Sequence, residues 1–163
     1  MTDVEGLPDA RAEGHPDAGA RGFPDAGAEG LLDTNAVLLL PRLTDPATLP
    51  AVPLISAITL AELSAGPLLT DDPTERARRT AHVQQAEHDF EPIPFDAAAA
   101  RAFGGVASSM RRAGRKGSAR DMDALIATVA IANGLPLYTC DPDDFAGIDG
   151  LTVRPIPHPD RER

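Results

Sequence analysis

The sequence is poor in cysteine and in aromatic residues, and it has no long apolar run. A single Cys among 163 residues excludes a disulfide framework and a thiolate zinc site. Aromatic residues make up only 4% and include no Trp, which argues against the exposed rings on which single-stranded nucleic acid stacks. No stretch reaches the roughly 18 apolar residues of a membrane span, and the chain does not open like a signal peptide. We therefore expect a soluble protein of the cytoplasm.

The chain does have enough apolar residues for one packed core, together with an acidic balance. Hydrophobic residues make up 42%, and 25 acidic against 15 basic residues give a formal charge of −10. This length predicts one ordinary domain. The acidity disfavours a module that merely coats DNA or RNA.

The first 29 residues differ in composition from the rest. An eight-residue pattern occurs three times there, as G-L-P-D-A-R-A-E, G-H-P-D-A-G-A-R and G-F-P-D-A-G-A-E. These units are too short and too polar for a solenoid, and their Pro and Gly break helices and strands. We predict a disordered acidic tail over 1–29, one domain over 30–155 and a short tail over 156–163. A role for the first tail in binding a partner is the alternative.

Short apolar runs alternate with helical patterns after residue 30. The runs at 31–32, 54–55, 137–139 and 151–153 predict strands. Start and stop signals predict helices over 57–65, from Asp72 to Asp89, from Asp96 to Gly114 and from Ser118 to Gly134. This alternation is typical of an α/β fold with a mainly parallel sheet, which binds ligands at the carboxyl ends of its strands.

Acidic residues recur where such a site would form. Asp33 and Asp141 directly follow predicted strands, whereas Glu62 and Asp123 lie on predicted helices. Each has a structural alternative, because Asp33 and Asp141 fit helix caps and Glu62 fits a capping box with Thr59.

Asp123 fits a purely structural role least well. It lies beside an apolar stripe, with small side chains along its own face of the helix, so we expect it to be partly buried. A buried carboxylate needs a partner, for which a metal ion or a water network is suitable.

Four segments, taken in order, resemble the PIN domain of VapC-type toxins over about residues 30–155. They are L-L-D-T-N at 31–35, I-S-A-I-T-L-A-E-L at 55–63, D-A-L-I-A at 123–127 and G-L-P-L-Y-T-C-D-P-D-D-F at 134–145. The resemblance implies a PIN-like α/β/α sandwich with a short, mainly parallel sheet. It also implies a metal-dependent endoribonuclease that is neutralised by a small VapB-type antitoxin and forms a homodimer.

The resemblance assigns site residues position by position. The first three acids are Asp33, Glu62 and Asp123, and the fourth is Asp141 or Asp144, with Asp141 preferred because it is nearer the strand end. The polar residues that match the substrate site are Thr34, Asn35 and Thr139.

Mg²⁺ or Mn²⁺ suits such a set, because both are hard cations that prefer oxygen ligands. We expect Asp33 and Asp123 to be the main ligands, Glu62 to hold a water, and Asp141 to complete the shell.

A basic segment precedes Asp123 and is a candidate for binding RNA phosphates. Its residues are Arg111, Arg112, Arg115, Lys116 and Arg120. The alternative for Arg111 and Arg112 is that they are cations favoured by the C-terminal end of a helix.

The sequence departs from the PIN pattern at Cys140, where other residues are common, and in its first strand, and it leaves two other functions open. Only Leu31 and Leu32 precede Asp33, so the first strand is expected to be short. A phosphohydrolase similar to the haloacid dehalogenases could use Asp33 as its nucleophile, but Asn35 stands where its second Asp is needed. A catalytically silent binding domain is the other alternative, against which the converging acids argue.

Overall fold

Four short strands form one parallel sheet at the centre of the molecule. The structure is a computed structural model that describes residues 29–114 and 118–161, with the side chains of 118–120 left out. The strands are β1 (Glu29–Leu32), β2 (Val52–Leu54), β3 (Leu137–Thr139) and β4 (Val153–Pro155), in the order β2-β1-β3-β4. Every neighbouring pair is parallel, as predicted.

Five helices cover the two faces of the sheet. They are α1 (Thr34–Leu39), α2 (Ala57–Ala65), α3 (Pro73–Asp89), α4 (Ala97–Arg112) and α5 (Ser118–Ala132). Short 3₁₀ helices span Leu40–Arg42, Pro46–Thr48, Gly66–Leu69 and Pro142–Phe145. Among the described residues, none of the helices is long and apolar enough to cross a membrane.

The side chains of β1 explain why the molecule has three layers. Leu31 and Leu32 are both fully buried, and successive side chains of a strand point to opposite faces. Leu31 belongs to the core formed with α4 and α5, and Leu32 belongs to the core formed with α1, α2 and α3. The structure therefore confirms the α/β/α sandwich.

Three of the four strands differ in their bounds from the prediction. β2 covers Val52–Leu54 instead of 54–55. β1 begins at Glu29, inside the predicted tail, because the backbones of Glu29 and Gly30 pair with Val52 and Pro53. β4 begins at Val153, two residues after the predicted start, because glycines 147 and 150 adopt positive φ angles in the preceding loop. The two edge strands each contain a proline, which protects an open edge from further pairing.

The start of α2 also corrects the prediction for Glu62. Ser56 is the cap residue, and its Oγ accepts a hydrogen bond from the Thr59 amide at 3.0 Å. Thr59 lies inside the helix and is buried, so the predicted capping box of Thr59 with Glu62 is wrong. The side chain of Glu62 is bound elsewhere, as described below.

Candidate active site

Asp33 stands at the end of β1 and is the most buried of the predicted site acids. Its carboxylate is 4% exposed and accepts two hydrogen bonds, from the Ala36 amide to Oδ1 at 2.7 Å and from the Thr139 hydroxyl to Oδ2 at 2.6 Å. The first bond caps α1 and the second joins β1 to β3. Asp33 therefore combines the structural role with a central position in the site.

Burial makes the charged form of Asp33 unfavourable. Loss of solvent raises the pKa of this carboxyl from 3.8 to about 6, although the hydrogen bonds from Thr139 and Ala36 lower it. The negative charges of Asp141 and Glu62 also contribute to the raised pKa. Three acids from three different elements therefore interact at one end of the sheet. A cation bound at this point would relieve both effects.

Glu62 reaches the site from α2. The Thr34 hydroxyl donates a short hydrogen bond to Glu62 Oε2. Thr34 is the first residue of α1, so this bond ties α1 to α2 beside Asp33. Thr34 thus positions an acid, in addition to any contact that it makes with a substrate.

Asp141 follows β3, and its carboxylate is held by two donors. The Asn35 amide donates to Oδ2 at 3.2 Å, and the Arg161 guanidinium lies 2.8 Å from Oδ1. The backbone amide of Asp141 donates to the Thr139 hydroxyl at 2.9 Å. Asp141 stands at the N-cap position with Pro142 next, as the structural alternative predicts, but its side chain makes no capping hydrogen bond.

The other candidate acids lie near the same edge of the sheet. Asp123 is partly buried in the first turns of α5, whereas its neighbour Asp121 is exposed. Because α5 ends just before β3 begins, the start of α5 lies toward the carboxyl ends of the strands. Asp144 is partly buried in the 3₁₀ helix after Asp141.

The structure describes only some of the remaining predicted residues. Thr139 is fully buried and its hydroxyl donates to Asp33, so it can orient this acid. Its contact with a substrate stays a prediction. Arg115, Lys116 and the side chain of Arg120 lie outside the described residues. Arg112 pairs with Asp149 and bonds Ser109, which gives it a structural role.

Sequence reasoning missed Arg161. It lies in the predicted C-terminal tail, and no motif marks it. Only the fold shows that this tail returns to the site.

The donor set suits a hard divalent cation. Within residues 29–114 and 118–161, no three His, Cys, Asp or Glu side chains already form a ligand cluster. The acids offer only oxygen, however, and the buried Asp33 carboxylate lies between two like charges. The residues present therefore fit Mg²⁺ or Mn²⁺.

The geometry does not favour a phosphohydrolase. Asn35 occupies the position of the required second acid, and its amide is bonded to Asp141. Both oxygens of Asp33 already accept hydrogen bonds within the core, which is unsuitable for a nucleophile that must attack a phosphate.

Comparison with known proteins identifies the class. The PIN-domain profile matches residues 31–151, and the chain belongs to the PIN-domain family. Within this family the chain is a homologue of the VapC-type ribonucleases. It is 37% identical over 109 residues to Ribonuclease VapC5 of Mycobacterium tuberculosis, which covers 67% of this chain and 78% of that protein.

Solved structures give the same result. A structure of VapBC-5 from Mycobacterium tuberculosis, a member of the VapBC family of toxin–antitoxin systems, has a TM-score of 0.69 at 32% identity, covering 79% of this chain and 99% of that chain. FitAcB from Neisseria gonorrhoeae has a TM-score of 0.59 at 26% identity, covering 80% and 98%. The DNA-bound VapBC of Salmonella typhimurium has a TM-score of 0.60 at 25% identity, covering 77% and 96%.

Proposed function

We propose that this VapC-type chain is a toxin that cuts RNA internally with Mg²⁺ or Mn²⁺ at the site around Asp33. The observation that carries the proposal is the buried Asp33 carboxylate, with a pKa raised to about 6, at the end of β1 beside the charges of Glu62 and Asp141. Such an arrangement is costly without a cation and is suitable for binding one. An RNA-cutting toxin acts where cellular RNA is found, which agrees with the cytoplasmic location expected above.

Each acid has a distinct role in this proposal. Asp33 and Asp123 would hold the divalent ion, and Asp141 would complete the shell directly or through water. The ion, when bound, supplies an activated water and stabilises the charge that develops on the phosphate. Glu62 is fixed through Oε2 by Thr34, and it offers Oε1 to the attacking water as a proton acceptor.

The neutral residues keep these acids in place. The Thr139 hydroxyl and the Ala36 amide fix both oxygens of Asp33, so its orientation does not depend on the ion. Asn35 orients Asp141 through Oδ2. We assign contact with RNA phosphates to Arg115, Lys116 and Arg120, because an acidic site needs nearby cations to attract a polyanion. Their order along the chain, just before Asp123, supports this assignment.

The position of Asp123 gives a matched test of the site. Asp123→Asn removes one proposed ligand, and Asp121→Asn removes the same charge from an exposed position two residues earlier. We expect Asp123→Asn to lower Mn²⁺-dependent RNA cleavage by at least about 100-fold, and Asp121→Asn to leave it within about twofold of the wild type. Equal losses in the two variants would remove Asp123 from the site.

We also propose that a small VapB-type antitoxin neutralises the protein. VapBC-5 is a member of a family of toxin–antitoxin systems, and a Klebsiella pneumoniae structure is a toxin–antitoxin complex. An open groove of about 420 Å³ begins at Thr34 and Glu62 and runs toward Arg79. Leu68 and Leu69 lie in the 3₁₀ helix that also contains the groove residue Gly66. They are 83% and 79% exposed and offer apolar surface to a protein partner.

A double variant tests this surface. Leu68→Glu with Leu69→Glu should weaken binding of the cognate VapB-type antitoxin by at least about tenfold, while RNA cleavage by the purified toxin stays unchanged. Isothermal titration of the toxin with that antitoxin measures the change. If the double variant binds the antitoxin as tightly as the wild type does, the antitoxin binds another face of the protein. Light scattering in the same series, compared with the chain mass of 17.1 kDa, tests the proposed homodimer.

A further inference from the structure

The C-terminal segment after β4 folds back to the candidate site. Ile156 is buried, and its amide donates to the Thr139 carbonyl oxygen at 2.7 Å. Asp160 forms an ion pair with Arg42, and the Arg161 amide donates to the His158 carbonyl oxygen at 3.0 Å in a turn. The segment is thus anchored at its start and near its end, and these anchors fix the position of Arg161.

The guanidinium of Arg161 pairs with one carboxylate oxygen of Asp141, a proposed metal ligand. Its Nη1 lies 2.8 Å from Asp141 Oδ1, while Asn35 binds Oδ2 at 3.2 Å. Donors of the chain itself therefore engage both carboxylate oxygens of Asp141. Each carboxylate oxygen has two lone pairs, but a divalent ion that binds Asp141 through Oδ1 would lie beside the guanidinium, and the repulsion between the two cations disfavours its binding.

We propose that Arg161 competes with the divalent ion for Asp141 and so raises the metal concentration at which the site loads. This inference rests on the proposed function, because it takes Asp141 as part of the metal shell. Arg161 is 67% exposed and Asp141 is 21% exposed, so the pair is a surface ion pair, which is weak in water. A pair of this strength reduces the affinity for the ion without preventing its binding.

The competition predicts that loss of Arg161 tightens metal binding. Arg161→Ala should lower the dissociation constant for Mn²⁺ by about two- to fivefold, the range that a weak surface pair can supply. Arg161→Lys keeps the charge but loses the planar guanidinium, so its dissociation constant should lie between those of the wild type and the alanine variant. Arg101→Ala is the control, because it removes the same charge from an exposed position on α4.

The experiment is isothermal titration of the full chain with Mn²⁺ alone, in the absence of RNA. Tighter binding by Arg161→Ala than by Arg101→Ala supports the competition. Equal affinity in these two variants, or weaker binding by Arg161→Ala, overturns the competition and leaves the metal site in place. If neither the wild type nor Arg161→Ala binds Mn²⁺, both the competition and the proposed metal-dependent function fail.

Discussion

At the scale of single residues, Asp33 shows what sequence reasoning can and cannot predict. Its position directly after an apolar run identified Asp33 as a site acid, and the sequence that follows suggested that Asp33 caps a helix. The structure gives it both roles, through Ala36 and through Thr139. Thr139 is 106 residues away in the chain, so the burial and raised pKa of Asp33 depend on a contact that no local pattern contains.

The raised pKa of Asp33 predicts a pH-dependent stability. The folded state holds this proton to about pH 6, whereas the unfolded chain loses it near pH 3.8, so the burial of Asp33 costs stability increasingly as the pH rises through this window. Asp33→Asn removes the cost and should raise the free energy of unfolding at pH 7.5 by up to about 3 kcal/mol. The gain should fade as the pH falls to about 4.

Urea unfolding at the two pH values measures this difference. Asp121→Asn is the control, because Asp121 is exposed and its neutralisation should change little at either pH. If Asp33→Asn gains the same stability at both pH values, the gain does not come from removing the buried charge of Asp33.

At the scale of elements, β1 shows why short strands are hard to predict. Only Leu31 and Leu32 carry a strand signal, and the strand begins two residues earlier through backbone pairing of Glu29 and Gly30. Glu and Gly are poor strand formers, so composition assigned Glu29 to the tail. The tertiary pairing with β2, and not the local sequence, sets this boundary.

Gly30 is required by close packing at this point. A Cβ atom there would lie 2.9 Å from Pro50 Cβ and closer still to the ring of Tyr138. Gly30→Ala should therefore destabilise the protein by about 1–3 kcal/mol. Gly104→Ala is the matched control, since no atom lies within 4 Å of its Cβ in α4 and alanine favours a helix by about 0.5–1 kcal/mol.

Thermal unfolding of the two variants under one condition gives the comparison. The expected result is a lower Tm for Gly30→Ala and an equal or higher Tm for Gly104→Ala. A Tm for Gly30→Ala as high as that of the wild type would mean that the contact between β1 and Tyr138 is looser than described.

At the scale of the whole molecule, the order of elements was the most predictable property. The alternation of strands and helices gave the parallel sheet, and the sheet brought Asp33 and Asp141 to neighbouring strand ends. The return of the C-terminal segment was not predictable, because Ile156 and Arg161 carry no motif and their positions depend on contacts with Thr139 and Asp141. The sequence thus predicts which acids lie together at the site, whereas the contacts that hold these acids in place are visible only in the fold.

The most direct test of the central claim is RNA cleavage by the purified chain, freed of any partner, with Mn²⁺ or Mg²⁺. The account predicts discrete RNA fragments with the wild type, none in EDTA, and at least about a 100-fold lower rate for Asp33→Asn. Asp33→Asn should remain folded, because it removes a buried charge. Cleavage that persists in EDTA, or that is equally fast with Asp33→Asn, would contradict a metal-dependent nuclease centred on this residue.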